Sequence, residues 1–328
     1  MSNDELVDTV SIVVPCFNDG ALLQALLTRT REACENCNVE FELVIVNDGS
    51  TDRSWDQIRD LVTTDRRIVG VDLTRNFGQD RAILAGLSYC TGDCVFVLDA
   101  DLQDPPELLP EMLRCIRDGA DVAYGRRLSR SGETIAKRLT AWGFYHLINL
   151  VSDIEVPKGV GNFRLMRREV AHTIAGLKQQ PDFFRGLCAW VGYRQVAVNF
   201  HRDPRHGGVT HWPLRRMLQL ASQAIVSLSS APLLLPTWIA SFATLSCIAL
   251  LAVPAAATPL RTGDWHLPAM MCLAIANAWV LAIFGLYLMR IYHDAKGTPP
   301  YLVRETVSKV NYLEPARQSK CPVGHHAY

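Results

Sequence analysis

Neither common glycine-rich phosphate loop occurs in this 328-residue chain. Gly-x-Gly-x-x-Gly does not follow the first apolar run and no Gly-Lys-Ser/Thr is present, which disfavours a dinucleotide oxidoreductase and a P-loop ATPase. The ten cysteines are scattered through apolar segments rather than spaced as a framework, so a reducing compartment is expected. Cys34 and Cys37 form a lone Cys-x-x-Cys without a second pair or a nearby His, and read as helix-end thiols rather than a zinc site. The amino terminus MSNDELVDTV has neither a basic region nor an apolar core, and no cleavable leader is expected. Net charge is also lacking, with 33 basic and 33 acidic residues, but the balance hides a division. Residues 1–125 carry 10 basic and 23 acidic side chains, whereas residues 126–216 carry 16 basic and 6 acidic ones. A basic block beside an apolar tail suits anionic lipid or phosphate. No nucleic-acid-binding motif accompanies it, and no nucleic-acid partner is expected.

The amino-terminal part does contain an alternation of apolar runs and amphipathic stretches. Residues 10–15, 41–46, 68–73 and 94–98 read as strands, separated by helices over about 21–34, up to about 63, and through Tyr89. The pattern predicts an α/β domain with a mostly parallel sheet and helices on both faces. Each strand would end in a polar loop, and ligands in open α/β sheets bind at such carboxyl ends. The fourth loop is the most informative. Asp99, Asp101 and Asp104 follow a buried-strand signal, and hard oxygen donors at that spacing suit Mg2+ or Mn2+ with positions left for substrate phosphates. Pro105-Pro106-Glu107 then starts a helix at Glu107 or Leu108.

Several ordered blocks are more specific than any one of these signals. SIVVPCFND (11–19), VIVNDGSTD (44–52), LTRNFGQDRAILAGL (73–87), DADLQDPPELLPEM (99–112) and DVAYGRR (121–127) resemble inverting glycosyltransferase family 2 enzymes of the GT-A fold. GNFRLMRREV (161–170), FFRGLCAWVGYRQ (183–195) and RDPRHGGVTHWPLRRM (202–217) narrow the resemblance to polyprenyl-phosphate glycosyltransferases, over roughly residues 10–307. That resemblance implies sugar transfer from a nucleotide-diphosphate sugar to a polyprenyl phosphate, for cell-envelope glycan modification. It also implies a metal held by Asp101 and Gln103, with Asp99 facing the nucleotide sugar. Pro15, Phe17, Asn18 and Asp48 match positions lining the nucleotide pocket, and Arg126, Arg127, Arg202 and Arg205 are the expected acceptor-phosphate ligands. A homo-oligomer is implied as well. Two positions depart from the pattern. Asn162 stands where many relatives carry an Asp regarded as a base or acceptor-positioning group, and His211 where they carry Lys. Asn accepts no proton at neutral pH, so either no base is needed, or Asp153 or Glu155 substitutes, or the chain is a catalytically weak nucleotide-sugar-binding or scaffold protein.

The membrane reading comes from the residues themselves. No charged residue lies between Arg216 and Arg261 or across residues 267–289, and each stretch supplies the roughly 20 apolar residues that span a bilayer core. Joined by the short link 258–266, the two form an expected hairpin over 230–291. Arg215 and Arg216 before it, with Arg290, His293 and Lys296 after it, place both ends in the cytoplasm against Arg261 alone in the link. The expected organisation is a catalytic domain over 1–229, with interfacial amphipathic helices near 134–151 and 212–229, and a cytoplasmic tail over 292–328. The whole would be an integral protein of the cell (inner) membrane, contacting the lipid bilayer.

Overall fold

The computed structural model describes residues 7–127, 160–177, 184–200, 266–295 and 299–309. The chain divides into two units, one made of Met1–Thr134, Pro157–His211 and Pro299–Tyr328, the other of Ile135–Val156 and Trp212–Thr298.

In the first unit a Rossmann-like alternation opens the chain: β1 (Thr9–Cys16), α1 (Leu23–Cys37), β2 (Glu40–Asn47), α2 (Ser54–Thr64), β3 (Ile68–Leu73), α3 (Gln79–Leu87) and β4 (Cys94–Val97). A single-turn 3-10 segment at Pro106–Leu108 leads into α4 (Leu109–Arg117), followed by β5 (Val122–Arg127), β6 (Val160–Arg167), α5 (Arg168–Gly176), α6 (Phe184–Trp190) and β7 (Gln195–Phe200). The strands form one eight-stranded sheet in the order β7-β5-β6-β4-β1-β2-β3-β8, where β8 is Val303–Ser308. β1 to β4 run parallel, while β6 is antiparallel to β4 and β5, and β8 is antiparallel to β3.

Burial on both faces explains why β1 to β4 read as continuous apolar runs. Along β1, Val10, Ile12 and Val14 join one core with Leu23 and Leu26 of α1, Ile58 of α2 and Met112 of α4. Val13 faces the opposite core, with Ala82, Ile83 and Leu87 of α3, Val170 of α5 and Leu187 of α6. The period of two in the strands thus divides the helices into two layers. Phe163 of β6 packs on Phe96 and Phe200 with ring centroids 5.4 and 5.3 Å apart. Gly125 makes room for it, since a Cβ there would lie 2.3 Å from the Phe163 ring.

Within the expected tail over 292–328, residues 303–308 form a strand of the central sheet, antiparallel to β3. Arg304 donates to Asp72 Oδ2 at 3.1 Å and to the Thr74 carbonyl at 2.7 Å, and Arg59 pairs with Glu305. An edge strand rich in charge lacks the apolar run that marks a central one.

In the second unit the described element is α7 (His266–Ala295), a continuous 30-residue helix. It covers the second arm of the expected hairpin. The first arm, both interfacial helices, Asp153, Glu155 and His211 lie outside the described residues. Counted over the described residues, no helix is long and apolar enough to cross a membrane. The side chains of several α7 residues are not among them.

A carboxylate fastens α1 to the start of β3. Asp65 accepts from the Arg67 backbone N–H at 2.9 Å and from its guanidinium at 2.7 Å, and Arg31 reaches it at 3.2 Å. The Arg67 hydrogen bonds hold the Asp65 carboxyl down at about 2. A depressed folded-state value stabilises above the ordinary carboxylate pKa and is lost as pH falls through the folded value. Asp65→Asn should therefore lower stability by about 1–2 kcal/mol at pH 7. In denaturant titrations the variant and parent should converge as pH approaches 2. A pH-independent difference would assign the effect to packing.

Candidate active site

Four loops leave the carboxyl ends of β1 to β4 on one edge of the sheet, and hydrogen bonds tie them into one surface. After β1, Asn18 takes a left-handed conformation at φ 58°. Its backbone N–H donates to Ser50 Oγ at 3.0 Å and its side-chain oxygen accepts the Thr51 N–H at 2.9 Å. The β1 and β2 loops are thereby joined. Gly49, at φ 64°, lets the β2 loop meet the β3 loop, since a Cβ there would sit 2.3 Å from the Arg75 carbonyl carbon. Behind them, buried Asn47 donates to Asp72 Oδ1 at 2.7 Å and accepts the Ser50 N–H at 3.3 Å.

Asp48 is buried, and its two oxygens accept the backbone N–H groups of Phe77 and Gly78 at 2.7 and 2.9 Å. Burial pushes its carboxyl above the ordinary value, opposed by those two hydrogen bonds and by Arg75. The bonds fix the entry to α3, where Gly78 has φ 98°, a conformation costly for side chains. The first residue of α3, Gln79, donates its amide to Asp99 Oδ1. Among the other expected nucleotide-pocket residues, Pro15 is buried in β1 opposite Val46, whereas Phe17 stands 43% exposed at the loop tip.

Past β4 the chain turns sharply. Leu102 sits at φ 61°, which for a non-glycine side chain stores about 1–3 kcal/mol of strain. The turn is stabilised by the Gln103 N–H donating to Asp101 Oδ1 at 3.2 Å, and by Arg29 of α1, which reaches the Leu102 carbonyl at 3.3 Å while pairing with Glu107 at 2.8 Å. Asp99 is half-buried, and burial followed by the neighbouring Asp104 and Asp101 carboxylates pushes its pKa to about 7, against Arg185 and Arg127. Among the described residues no three His, Cys, Asp or Glu side chains form a ready-made cage. Asp101 and the Gln103 amide oxygen fit instead a hard divalent ion that takes its remaining ligands from water and phosphate.

The arginines expected to hold the acceptor phosphate separate. Arg126 donates from Nε to Asn199 Oδ1 at 2.8 Å across the β5–β7 pair. Arg127 lies 3.6 Å from Oδ1 of the fully buried Asp104. Arg202 and Arg205 lie outside the described residues. Asn162 is 2% exposed, donates to Asp80 Oδ1 at 3.3 Å and accepts from Arg185 Nε at 3.1 Å. Sequence reasoning singled out neither Asp80 nor Arg185. The only signal available was their presence in two of the ordered blocks.

Residues 11–175 match the glycosyl transferase family 2 model. The chain is 37% identical over 302 residues to the uncharacterized glycosyltransferase YkcC of Bacillus subtilis, covering 90% of this chain and 93% of that protein. It is 38% identical over 303 residues to the uncharacterized glycosyltransferase sll0501 of Synechocystis, covering 90% and 95%. The chain belongs to glycosyl transferase family 2. It is also 34% identical over 300 residues to a bactoprenol glucosyl transferase of Shigella phage SfX, covering 90% of this chain and 98% of that one. Among solved structures it is similar to a glucosyl-3-phosphoglycerate synthase of Mycobacterium tuberculosis, at 18% identity and a TM-score of 0.47 over 69% and 80% of the two chains. That distance carries no information on ligands. The eight-stranded, mostly parallel mixed sheet is the GT-A-like architecture expected of the family.

Proposed function

We propose that this chain transfers a sugar from a nucleotide-diphosphate sugar to a polyprenyl phosphate at a membrane surface, with inversion at the anomeric carbon. The observation that carries the proposal is the placement of Asp99, Asp101 and Gln103 at the end of β4, on the edge where Asp48 organises the neighbouring loops. The whole-length similarity to a bactoprenol glucosyl transferase supports the acceptor class.

In the transfer, the bond from the anomeric carbon to the diphosphate oxygen breaks and its electron pair departs with the nucleotide diphosphate. An acceptor phosphate oxygen bonds to the opposite face of the same carbon. A phosphomonoester with a second pKa near 6 is largely ionised at neutral pH, so no proton has to be removed from it. An amide at 162 is compatible with such a reaction. Asp101 and Gln103 would hold Mg2+ or Mn2+, which when bound supplies Lewis-acid stabilisation of the leaving diphosphate. Gln79 keeps the Asp99 carboxylate turned toward the site. Arg202 and Arg205 complete the proposed acceptor site.

The membrane hairpin belongs to the same proposal. Its support is the uncharged stretch over residues 267–289, which supplies the roughly 20 apolar residues that span a bilayer core. Met270, Trp279, Leu281 and Leu288 are 69, 67, 70 and 63% exposed along it, an apolar surface suited to lipid. The catalytic domain and both ends of the hairpin would face the cytoplasm.

Purified full-length protein, given undecaprenyl phosphate and a panel of labelled nucleotide sugars with Mn2+ or Mg2+, should form one labelled polyprenyl-phosphate sugar. Asp101→Ala should abolish this product while shifting the melting temperature by no more than a few degrees, because Asp101 lies in a surface loop rather than the core. Nucleotide-sugar binding without any labelled lipid would favour the binding or scaffold role. For topology, a cysteine placed in the 258–266 link should react with an impermeant thiol reagent added outside intact cells, and one within 296–300 should not. The opposite labelling pattern would overturn the cytoplasmic site.

A further inference from the structure

The amide of Asn162 is used on both sides. Its Nδ2 donates to Asp80 Oδ1 in the first turn of α3, and its Oδ1 accepts from Arg185 Nε on α6. A carboxylate at this position could accept from Arg185, but it would turn a second anion toward Asp80 and has nothing to donate. Of the two, the amide alone can donate to an acceptor on one side and accept from a donor on the other. At 2% exposure the side chain has little room to turn away, and a buried polar group left without its partner is costly.

The consequence falls on Arg185. Its ε N–H is occupied by Asn162, and among the described residues its terminal nitrogens have no hydrogen-bond partner. Asn162, which holds it, is hydrogen-bonded to Asp80, and the adjacent Gln79 is hydrogen-bonded to Asp99, so the guanidinium is tied to the start of α3 that also meets the end of β4. A guanidinium fixed through Nε presents its outer N–H groups in a fork that matches phosphate oxygens. Asp80 and Gln79 are adjacent in α3, so the helix that aims Gln79 at Asp99 also fixes the amide that aims Arg185.

We propose that Arg185 binds phosphate oxygens beside Asp99, and that Asn162 is the positioning residue whose amide, held by Asp80, aims the guanidinium. This rests on the proposed transferase function. The phosphate belongs either to the donor diphosphate or to the acceptor lipid, and the same chemistry would recognise both.

The test uses the full-length protein in detergent and measures binding directly, so it does not depend on turnover. Uridine diphosphate with Mn2+ probes the donor side and a short-chain polyprenyl monophosphate probes the acceptor side. Arg185→Gln should weaken one of the two by about 30-fold or more, the loss expected when one member of a buried charged pair is removed. A loss confined to the nucleotide identifies the donor diphosphate, and one confined to the lipid phosphate identifies the acceptor. Asn162→Asp should weaken the same ligand, and the exchange Asp80→Asn with Asn162→Asp should recover most of the loss, because the donor and acceptor are restored in reversed order. Unchanged affinities for both probes in folded Arg185→Gln would overturn the phosphate role. Equal losses in Asn162→Asp and in the exchange variant would overturn the positioning role. If parent and variants show these binding differences while no sugar is ever transferred, the reading of Arg185 stands and the transferase function fails.

Discussion

Two backbone N–H groups, those of Phe77 and Gly78, end on one buried carboxylate, and the active edge of the sheet is assembled around that contact. Asp48 at the end of β2 thereby sets where α3 begins. The first two residues of the helix then carry its effect outward, Gln79 to Asp99 and Asp80 to Asn162. Because hydrogen bonds to an ionised group are the stronger kind, burying Asp48 costs less than its desolvation alone would suggest. The contact links a loop from β2 with a helix that packs across β1 and a turn after β4. These segments are 30 to 51 residues apart in sequence, counting from Asp48 to Gly78 and to Asp99.

Around this frame the protein concentrates features that a purely structural edge would avoid. Leu102 is held at a positive φ, and Asp99, Asp101 and Asp104 crowd together within one turn of chain. Arg127 and Arg185 offset part of the negative charge. Such strain and like-charge crowding persist where the surroundings over-determine them, and they favour a site that gains by taking up a cation. Arg29, reaching from α1 to the Leu102 carbonyl and to Glu107, is part of the support that keeps the turn in place.

Strands β1 to β4 were legible in the sequence to within about two residues because burial on both faces leaves continuous apolar runs. The remaining half of the sheet was not. β6 carries Asn162 and Arg164 in its interior, and Arg164 is 2% exposed, its guanidinium resting over Phe184 and donating to the Gly161 carbonyl. A strand that buries an arginine does not announce itself by hydropathy. β8 was hidden for the opposite reason, as a short edge strand with Arg304 and Glu305 within it, on the far side of a long apolar segment. Asp99 and Asp101 stand out as candidates because strand and loop are contiguous, and Gln103 joins them through the family resemblance. Asp80 and Arg185 do not stand out, since they reach Asn162 across 82 and 23 residues through topology alone. Asp48 was singled out through the family resemblance, but its engagement with backbone amides follows from loop packing that spacing does not reveal.

The central claim is that the carboxyl ends of β1 to β4 form one metal-dependent diphosphate site fixed through the start of α3. Amide hydrogen exchange on the full-length protein, with and without Mn2+ and uridine diphosphate, tests it most directly. The account predicts slowed exchange in the loops over 16–20, 47–52, 74–80 and 99–104 only when metal and nucleotide are both present. It predicts no change at residues 90–93 on the opposite edge of the sheet. Protection at that opposite edge, or the same protection with the metal removed by chelation, would contradict it.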